Sequence, residues 1–380
     1  MKQISACNGF LFEEVSLKDA LDEREAWEQL ADHALEPNPF FEPAFLEPFA
    51  THLAGTDIGI ARLRNPVNGD LAALVPIVSQ RLGLGLSGKP ARFFSHDYGP
   101  LATPLLHRDH AHDAALDLVK RLLSKRSLIC APHSRMNGPV FDCLSCAVNA
   151  GSAVLSVVGP YERAVQDARG SVDDYLVRAL SKKRRRQYAK QMRRLEAKGT
   201  VRLESISSPE QLHSAFQGFL ALEAAGWKGR GGSALRSRPD AEHFAMEMAA
   251  GFIEKRRMRA DVLTVNEQLI GIVINLRAGR EIIPWKMAFD ETHRDVSPGM
   301  QTLLRTTEAN CQDPDIDWVD SLTGPDSPTV DMLWKERRPM GTLVLMAGSL
   351  GVLKGKLLDF DKTAYDRLRV KAKLLLKRLR

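Results

Sequence analysis

ADVLTVNEQLIGIVINLRAGREIIPWKMAFD, residues Ala260–Asp290, is the stretch that decides the fold class. Aliphatic and β-branched runs are interrupted at Asn266-Glu267 and again at Ala278-Gly279, so the pattern predicts three strands joined by two tight turns. Two helices are expected before it. SPEQLHSAFQGFLALEAAGW (Ser208–Trp227) opens with a Ser cap and with Pro and Glu in its first turn, and RPDAEHFAMEMAAGFIEKRR (Arg238–Arg257) has apolar residues at helical spacing. TVRLESIS (Thr200–Ser207) reads as a strand upstream of both. Downstream, SPGMQTLLRTTEANC (Ser297–Cys311) starts a helix, and DIDWVDSL (Asp315–Leu322) is a further strand. Strand, helix, helix, meander, helix, strand describes an α/β (α+β) unit with a mostly antiparallel sheet.

The first part of the chain repeats this character. IGIARLR (Ile58–Arg64) and DLAALVPIVSQRLG (Asp70–Gly83) read as neighbouring strands around the turn NPVNG. ARFFSHDYGPLATP (Ala91–Pro104) reads as strand and loop, HAHDAALDLVKRLLSKR (His110–Arg126) as an amphipathic helix, and SLICAP (Ser127–Pro132) as a strand. Between the two units lies SVDDYLVRALSKKRRRQYAKQMRRLEAK (Ser171–Lys198), which contains no Gly or Pro and stops at Gly199. Its Ser cap and early acids predict one long helix. Leu176, Leu180, Tyr188, Met192 and Leu195 would form an apolar stripe beneath the charges. The expected division is therefore 1–170, a linking basic helix 171–199, 200–345, and a basic amphipathic tail 346–380.

A chain of 380 residues with 53 Lys and Arg against 47 Asp and Glu has a formal charge of +6, and its pI is about 9.0. The balance favours anionic partners without choosing among them. Hydrophobic content of 44% with 26% charged residues fits a folded protein of two domains and argues against disorder. Five cysteines, Cys7, Cys130, Cys143, Cys146 and Cys311, make no disulfide framework. Cys143-Leu-Ser-Cys146 lacks the second ligand pair that a zinc site needs, so ordinary thiols and no metal are expected. His107, His110 and His112 read as solvated histidines at a helix start. The N-terminus has acids where a signal peptide needs an apolar run, and no apolar stretch approaches about 20 residues. The cytoplasm is the expected location, with the tail DRLRVKAKLLLKRLR (Asp366–Arg380) a candidate peripheral contact at the inner face of a membrane.

Four segments in this order, SKKRRRQYAKQMRRLEAKGTV (Ser181–Val201), LEAAGWKGRGGSAL (Leu222–Leu235), LTVNEQLIGIVINL (Leu263–Leu276) and WKMAFDETHRDVSPGM (Trp285–Met300), resemble the GNAT-superfamily acyltransferases of the BioF2-like/CelD (BcsL) type. That group is related to the FemAB aminoacyl transferases. The resemblance covers about Ser171–Met340. It implies two tandem GNAT-like modules, each a mixed, mostly antiparallel sheet flanked by helices. It also implies transfer of an acyl group, with acetyl the first expectation, from acyl-CoA to an amine or hydroxyl. A sugar or glycan precursor is the acceptor class it suggests.

The same resemblance seats the donor's pyrophosphate where two strands part, at a helix N-terminus whose free N–H groups favour anions. The matching loop here is Arg294-Asp-Val-Ser297-Pro298-Gly299, in which Ser297 stands where a glycine is usual. A backbone N–H near Lys286, Met287 and Ala288 is the implied oxyanion partner, and these three residues are placed with the donor site. For the general base the residues leave Glu223, Asp290, Glu291 and Asp320 open. Alternation on a strand predicts Trp285 and Lys286 on opposite faces. Trp227 and Lys228 open a Gly-rich basic loop, Lys228–Arg238, read as able to move over a substrate. The segment Thr329–Arg337 has no Tyr to serve as a general acid. Lys182, Lys183 and Arg186 are candidates to draw an anionic substrate in. Alternative readings are a FemAB-like transferase using aminoacyl-tRNA, or a non-enzymatic protein binding an anionic polymer or membrane. Specific nucleic-acid recognition is not expected, since only Tyr188 interleaves with the basic residues.

Overall fold

The computed structural model describes residues 9–53, 55, 57–81, 83–86, 88–150, 153–325 and 327–378. Cys7 lies outside them. The chain forms two compact units, one of Met1–Pro43, Ala54–Tyr161 and Pro339–Arg380, the other of Ala44–Leu53 and Glu162–Arg338. Each is a mixed sheet flanked by helices.

In the first unit the strands Leu11–Ser16, Gly59–Arg64 and Leu71–Ser79 run antiparallel in that order, and Ala91–Phe93 continues the sheet antiparallel to the third. Leu128–Arg135 joins parallel to Ala91–Phe93, and the strand Glu336–Ala347 pairs antiparallel with it through Met340–Met346. Alternating exposure is absent from Leu71–Ser79, whose first eight residues are all buried, because helices Arg24–Asp32 and Ala111–Lys125 both pack on it.

In the second unit the meander is as the sequence predicts: Met258–Val265, Gln268–Ala278 and Glu281–Phe289 pair antiparallel, with Val201–Ile206 at one edge. Asn266 and Glu267 both have positive φ, 49° and 67°, the backbone a two-residue hairpin demands. On the other side Trp318–Asp320 pairs parallel with Glu281–Phe289 and antiparallel with the end of Ala153–Asp167. Helices Pro209–Ala225, Pro239–Glu254 and Pro298–Gln312 cover the sheet, their first turns each accommodating a proline that has no N–H to leave unpaired.

Three sequence expectations are corrected. The segment 171–199 is not one linking helix but two helices inside the second unit, Val172–Ala179 and Lys182–Glu196. Leu180 is extended (φ −120°, ψ 131°) because it turns inward to be buried, and the Ser181 side chain then accepts the Arg184 N–H to start a second helix. The expected stripe survives across the break: Tyr188 and Leu195 are buried, with Met192 half-buried beside them. Second, the division at 345 is misplaced, because the strand Glu336–Ala347 itself carries the chain from the second unit to the first at Arg338–Pro339. Third, residues 44–53, expected in the first unit, belong to the second. There Phe45 and Phe49 stand edge-on to Phe244 at 5.3 and 5.9 Å, and Ala44 packs against Gly251. Burying each Phe contributes about 1.5–3 kcal/mol, enough to hold so short a segment.

Candidate active site

The strands Glu281–Phe289 and Trp318–Asp320 pair at only two positions, Glu281↔Trp318 and Ile282↔Val319. Beyond Ile282 the longer strand continues to Phe289 while the shorter one ends at Asp320. The gap opens into a cleft of about 670 Å³ within the second unit. One wall is the strand end, Met287 and Phe289. The floor is the loop and first turn Arg294, Ser297, Pro298 and Gly299. The opposite wall is the basic helix, which presents Lys183, Arg184, Gln187 and Tyr188, with Thr329 and Met332 closing the end.

The basic helix is held across this helix mouth by polar contacts. Gln191 Nε2 donates to Ser297 Oγ at 3.0 Å, Gln301 Nε2 donates to the Tyr188 carbonyl at 3.0 Å, and Lys198 pairs with Asp295 at 3.2 Å. Tyr188 donates its hydroxyl to Met332 Sδ at 2.9 Å, and the Arg184 guanidinium meets the same sulfur. Ser297 adopts a left-handed conformation, φ 53° and ψ 57°, which explains how serine replaces the expected glycine: the backbone takes the glycine-like shape at some cost and its hydroxyl is engaged by Gln191. Gly299 has to be glycine, since a Cβ there would lie 2.8 Å from the Phe289 ring.

Three cations, Lys183, Arg184 and Arg294, line the cleft, and among its described lining residues there is no carboxylate. Combined with the helix N-terminus, the site is built to attract a polyanion. Lys182 and Arg186, grouped with Lys183 on sequence, are exposed on other faces of the helix. Sequence reasoning missed Arg184, Gln187, Tyr188 and Gln191, although 184, 187, 188 and 191 follow the three- and four-residue spacing of one helix face. Tyr188 also brings a phenol to the cleft, from an element other than Thr329–Arg337.

The four candidate bases are all held outside the cleft. Glu223 is buried; Lys228 Nζ donates to one oxygen at 2.8 Å and the Leu235 N–H to the other at 2.9 Å. Asp320 is fully buried between Arg163 (3.3 Å) and Arg338 (2.8 Å) and accepts the Leu322 N–H. Glu291 accepts the Trp227 N–H at 2.6 Å and pairs with Arg230. The Arg230 guanidinium and that amide hold its carboxyl below the usual range. Asp290 caps the turn that follows the strand. Its burial pushes the carboxyl up, but bonds from the Thr292 amide and hydroxyl and from His293 outweigh that and lower it.

These contacts also correct the reading of Lys228–Arg238 as a free lid. The loop begins as a short helix, Trp227–Arg230, and Glu223 and Glu291 anchor both its ends. Lys228 Nζ additionally donates to the Met287 carbonyl at 3.3 Å. Trp227 remains 58% exposed beside a small recess that shares Met287 and Phe289 with the cleft. Trp285 and Lys286 are not on opposite faces. The pairing jumps from Ile274↔Lys286 to Asn275↔Pro284 and leaves Trp285 in a β-bulge. The indole is buried parallel to the Phe216 ring, 6.5 Å away, and Lys286 folds back over it, its Nζ 5.4 Å from the ring centre. Lys286 and Ala288 are not among the cleft-lining side chains; Met287 between them is.

Among the described residues no group of three or more His, Cys, Asp or Glu is placed to hold a metal ion. His107 is half-buried, stacked on His33 with 5.6 Å between ring centres, whereas His110 and His112 are exposed. No described helix is long and apolar enough to cross a membrane.

A family model described as acetyltransferase (GNAT) domain matches residues 182–335. The match begins at the basic helix and takes in the cleft lining from Lys183 to Met332, with Ser181 just outside it. No curated protein matches the sequence. Among solved structures, FemX is 10% identical with a TM-score of 0.54, covering 87% of this chain and 96% of its own. A conserved protein of unknown function from Bacteroides thetaiotaomicron VPI-5482 is 11% identical with a TM-score of 0.53, covering 89% and 100%. The C-terminal domain of a putative lysylphosphatidylglycerol synthetase from Agrobacterium fabrum is 10% identical with a TM-score of 0.50, covering 89% and 96%. At such identities the likeness is one of fold. The region 182–335 is similar to GNAT acetyltransferase domains, which supports acyl transfer as the reaction class.

Proposed function

We propose that this chain transfers an acyl group, acetyl as the first donor to test, from a coenzyme A thioester to an amine or hydroxyl, in the manner of the BioF2-like/CelD type. The observation that carries the reading is the convergence of Lys183, Arg184 and Arg294 on the N-terminus of helix Pro298–Gln312, beside strands that part after two residue pairs. Charge-assisted hydrogen bonds from these side chains and from the first-turn amides suit the donor's phosphates.

The reacting end lies along Met287. Its carbonyl bonds Lys228 rather than the neighbouring strand, and in a strand the N–H and C=O of one residue point to the same side. The Met287 N–H therefore faces the same edge and is the donor best placed for a developing oxyanion. The acceptor approaches over the recess of Trp227, Lys228 and Phe289, where the exposed indole offers a stacking surface for a sugar ring. Glu223 and Glu291 line this recess but are held by Lys228, Leu235, Trp227 and Arg230, so rate enhancement rests on positioning and on the oxyanion contact. The acceptor attacks the thioester carbonyl, the C–S bond breaks, and the proton shed by its N–H or O–H leaves on the coenzyme A sulfur as the free thiol.

A second reading takes aminoacyl-tRNA as donor. It is favoured by the cations of the basic helix that face away from the cleft, Lys182 and Arg186 among them, which suit a longer polyanion. The test is turnover of the full chain with acyl-CoAs against amino sugars and lipid-linked glycans, followed by release of free thiol, alongside labelled aminoacyl-tRNA. Thiol release that depends on an acceptor supports the first reading. Transfer from aminoacyl-tRNA with no thiol release from any acyl-CoA overturns it in favour of the second.

A further inference from the structure

The first unit carries an amphipathic surface that acyl transfer does not use. Helix Gly348–Arg378 lies on its sheet through small residues: a Cβ on Gly351 would fall 2.2 Å from the Ser127 carbonyl oxygen, and one on Gly355 would fall on the Met346 sulfur. Leu358 and Asp361 complete the buried side. The outward side is apolar. Leu350, Leu353, Leu357, Phe360 and Leu368 are 57, 65, 43, 64 and 54% exposed. At 3.6 residues per turn they fall within roughly 80° of the helix circumference over a length of about 27 Å. Lys354 borders one side of this stripe, Lys356 and Arg367 border the other, and Lys371 continues its line. The exposed acid Asp359 lies on the far side.

A second element meets the same surface. Within the sequence RLGLGLSGK (Arg81–Lys89), Leu84 is 45% and Leu86 57% exposed, and Arg81 and Lys89 stand at its two ends. The fully buried Asp361 accepts the Leu84 N–H at 2.5 Å, and a Cβ on Gly83 would meet the same carboxylate at 2.7 Å. The loop tip is thereby fastened to the helix next to Leu357 and Phe360. Nearby, Lys89, Lys125, Arg126 and Lys354 line a recess of about 440 Å³. Glu14 pairs with Arg126 and Lys125 there, which leaves the recess with a surplus of positive charge.

We propose that the first unit docks on an anionic phospholipid bilayer, with Leu350, Leu353, Leu357, Phe360, Leu84 and Leu86 entering the interface and the recess receiving a headgroup phosphate. The charge pattern selects this occupant. An apolar stripe bordered by exposed cations on both sides, with Asp359 turned away and Asp361 at its edge buried under the Leu84 amide, matches acyl chains beneath a layer of anionic headgroups. This proposal is independent of the reaction class.

The test is co-sedimentation of the full chain with vesicles of phosphatidylcholine alone and of phosphatidylcholine with phosphatidylglycerol, at low and high salt. Binding should require phosphatidylglycerol and weaken with salt. The double substitution Leu353→Glu with Phe360→Glu should lower it at least about tenfold, and Leu84→Ser with Leu86→Ser should lower it severalfold, with the melting temperature unchanged in each because these side chains are exposed. Equal sedimentation with and without phosphatidylglycerol, or binding insensitive to both variants, overturns the proposal. So does a concentration-dependent dimer, seen by light scattering, that Phe360→Glu dissolves while no vesicle binding is found, since the stripe would then be covered by a second copy.

Discussion

Replacing Glu223 separates an anchor from a general base. Its carboxylate side chain is 1% exposed and is bonded on both oxygens, by Lys228 at 2.8 Å and by the buried Leu235 amide at 2.9 Å. Hydrogen bonds to a charged group are worth about 1.5–3 kcal/mol each. The Lys228 bond belongs at the low end, because its ammonium is a quarter exposed and water competes for it. Glu223→Ala should therefore cost about 3 kcal/mol in total. For a unit of this size a kilocalorie moves the melting temperature by about 2–4 °C, so a fall of roughly 6–12 °C is expected in the transition of the second unit. Glu223→Gln keeps the volume and an acceptor for Leu235, and should lose only about 1 kcal/mol. Because Lys228 also holds the Met287 carbonyl, both variants should raise KM for the acceptor more than they lower kcat. The measurements are thermal unfolding by circular dichroism and steady-state kinetics across pH. A Glu223→Gln enzyme that melts with the wild type yet loses turnover a hundredfold, together with one ionisation from its pH profile, would show that Glu223 is the base and that the anchoring argument is wrong.

Three further outcomes follow from the same geometry. Ser297→Gly should stay within about 1 kcal/mol of wild type in urea unfolding, since relief of the left-handed backbone offsets loss of the Gln191 bond, whereas Ser297→Val should lose about 2 kcal/mol or more. Glu291 has a carboxyl lowered by Arg230 and the Trp227 amide from its ordinary 4.5, so the folded state binds its proton less readily than the unfolded one. Its contribution is whole above 4.5 and is lost as pH falls through the lower folded value; the gap in melting temperature between wild type and Glu291→Gln should close on acidification, and a gap that widens refutes the assignment. Trp227→Ala should leave the melting temperature nearly unchanged, because the indole is exposed, while raising acceptor KM severalfold; an unchanged KM removes Trp227 from the acceptor site.

Much of the second unit was legible because its signals are local. Asn266-Glu267 and Ala278-Gly279 punctuate the meander, and prolines mark the starts of three helices. The features that escaped depend on distant partners. Leu180 and Ser181 break a helix that local propensity would continue, since Leu180 gains more by burial than by one more helical turn. Trp285 sits in a bulge that only the register with Ile274 and Asn275 reveals. The carboxylates looked alike as residue types, and only tertiary structure shows Asp320 between two arginines and Glu223 beneath a loop. The joining of Phe45 and Phe49 to Phe244 spans some two hundred residues, beyond the reach of any periodicity.

The most direct measurement is calorimetric titration of the full chain with acetyl-CoA. One saturable site is predicted, severely weakened when Lys183, Arg184 and Arg294 are all changed to Ser, and retained when Lys182 and Arg186 are changed instead. Absence of binding by the wild type, or equal loss in the two variants, would contradict the assignment of the cleft as the donor site.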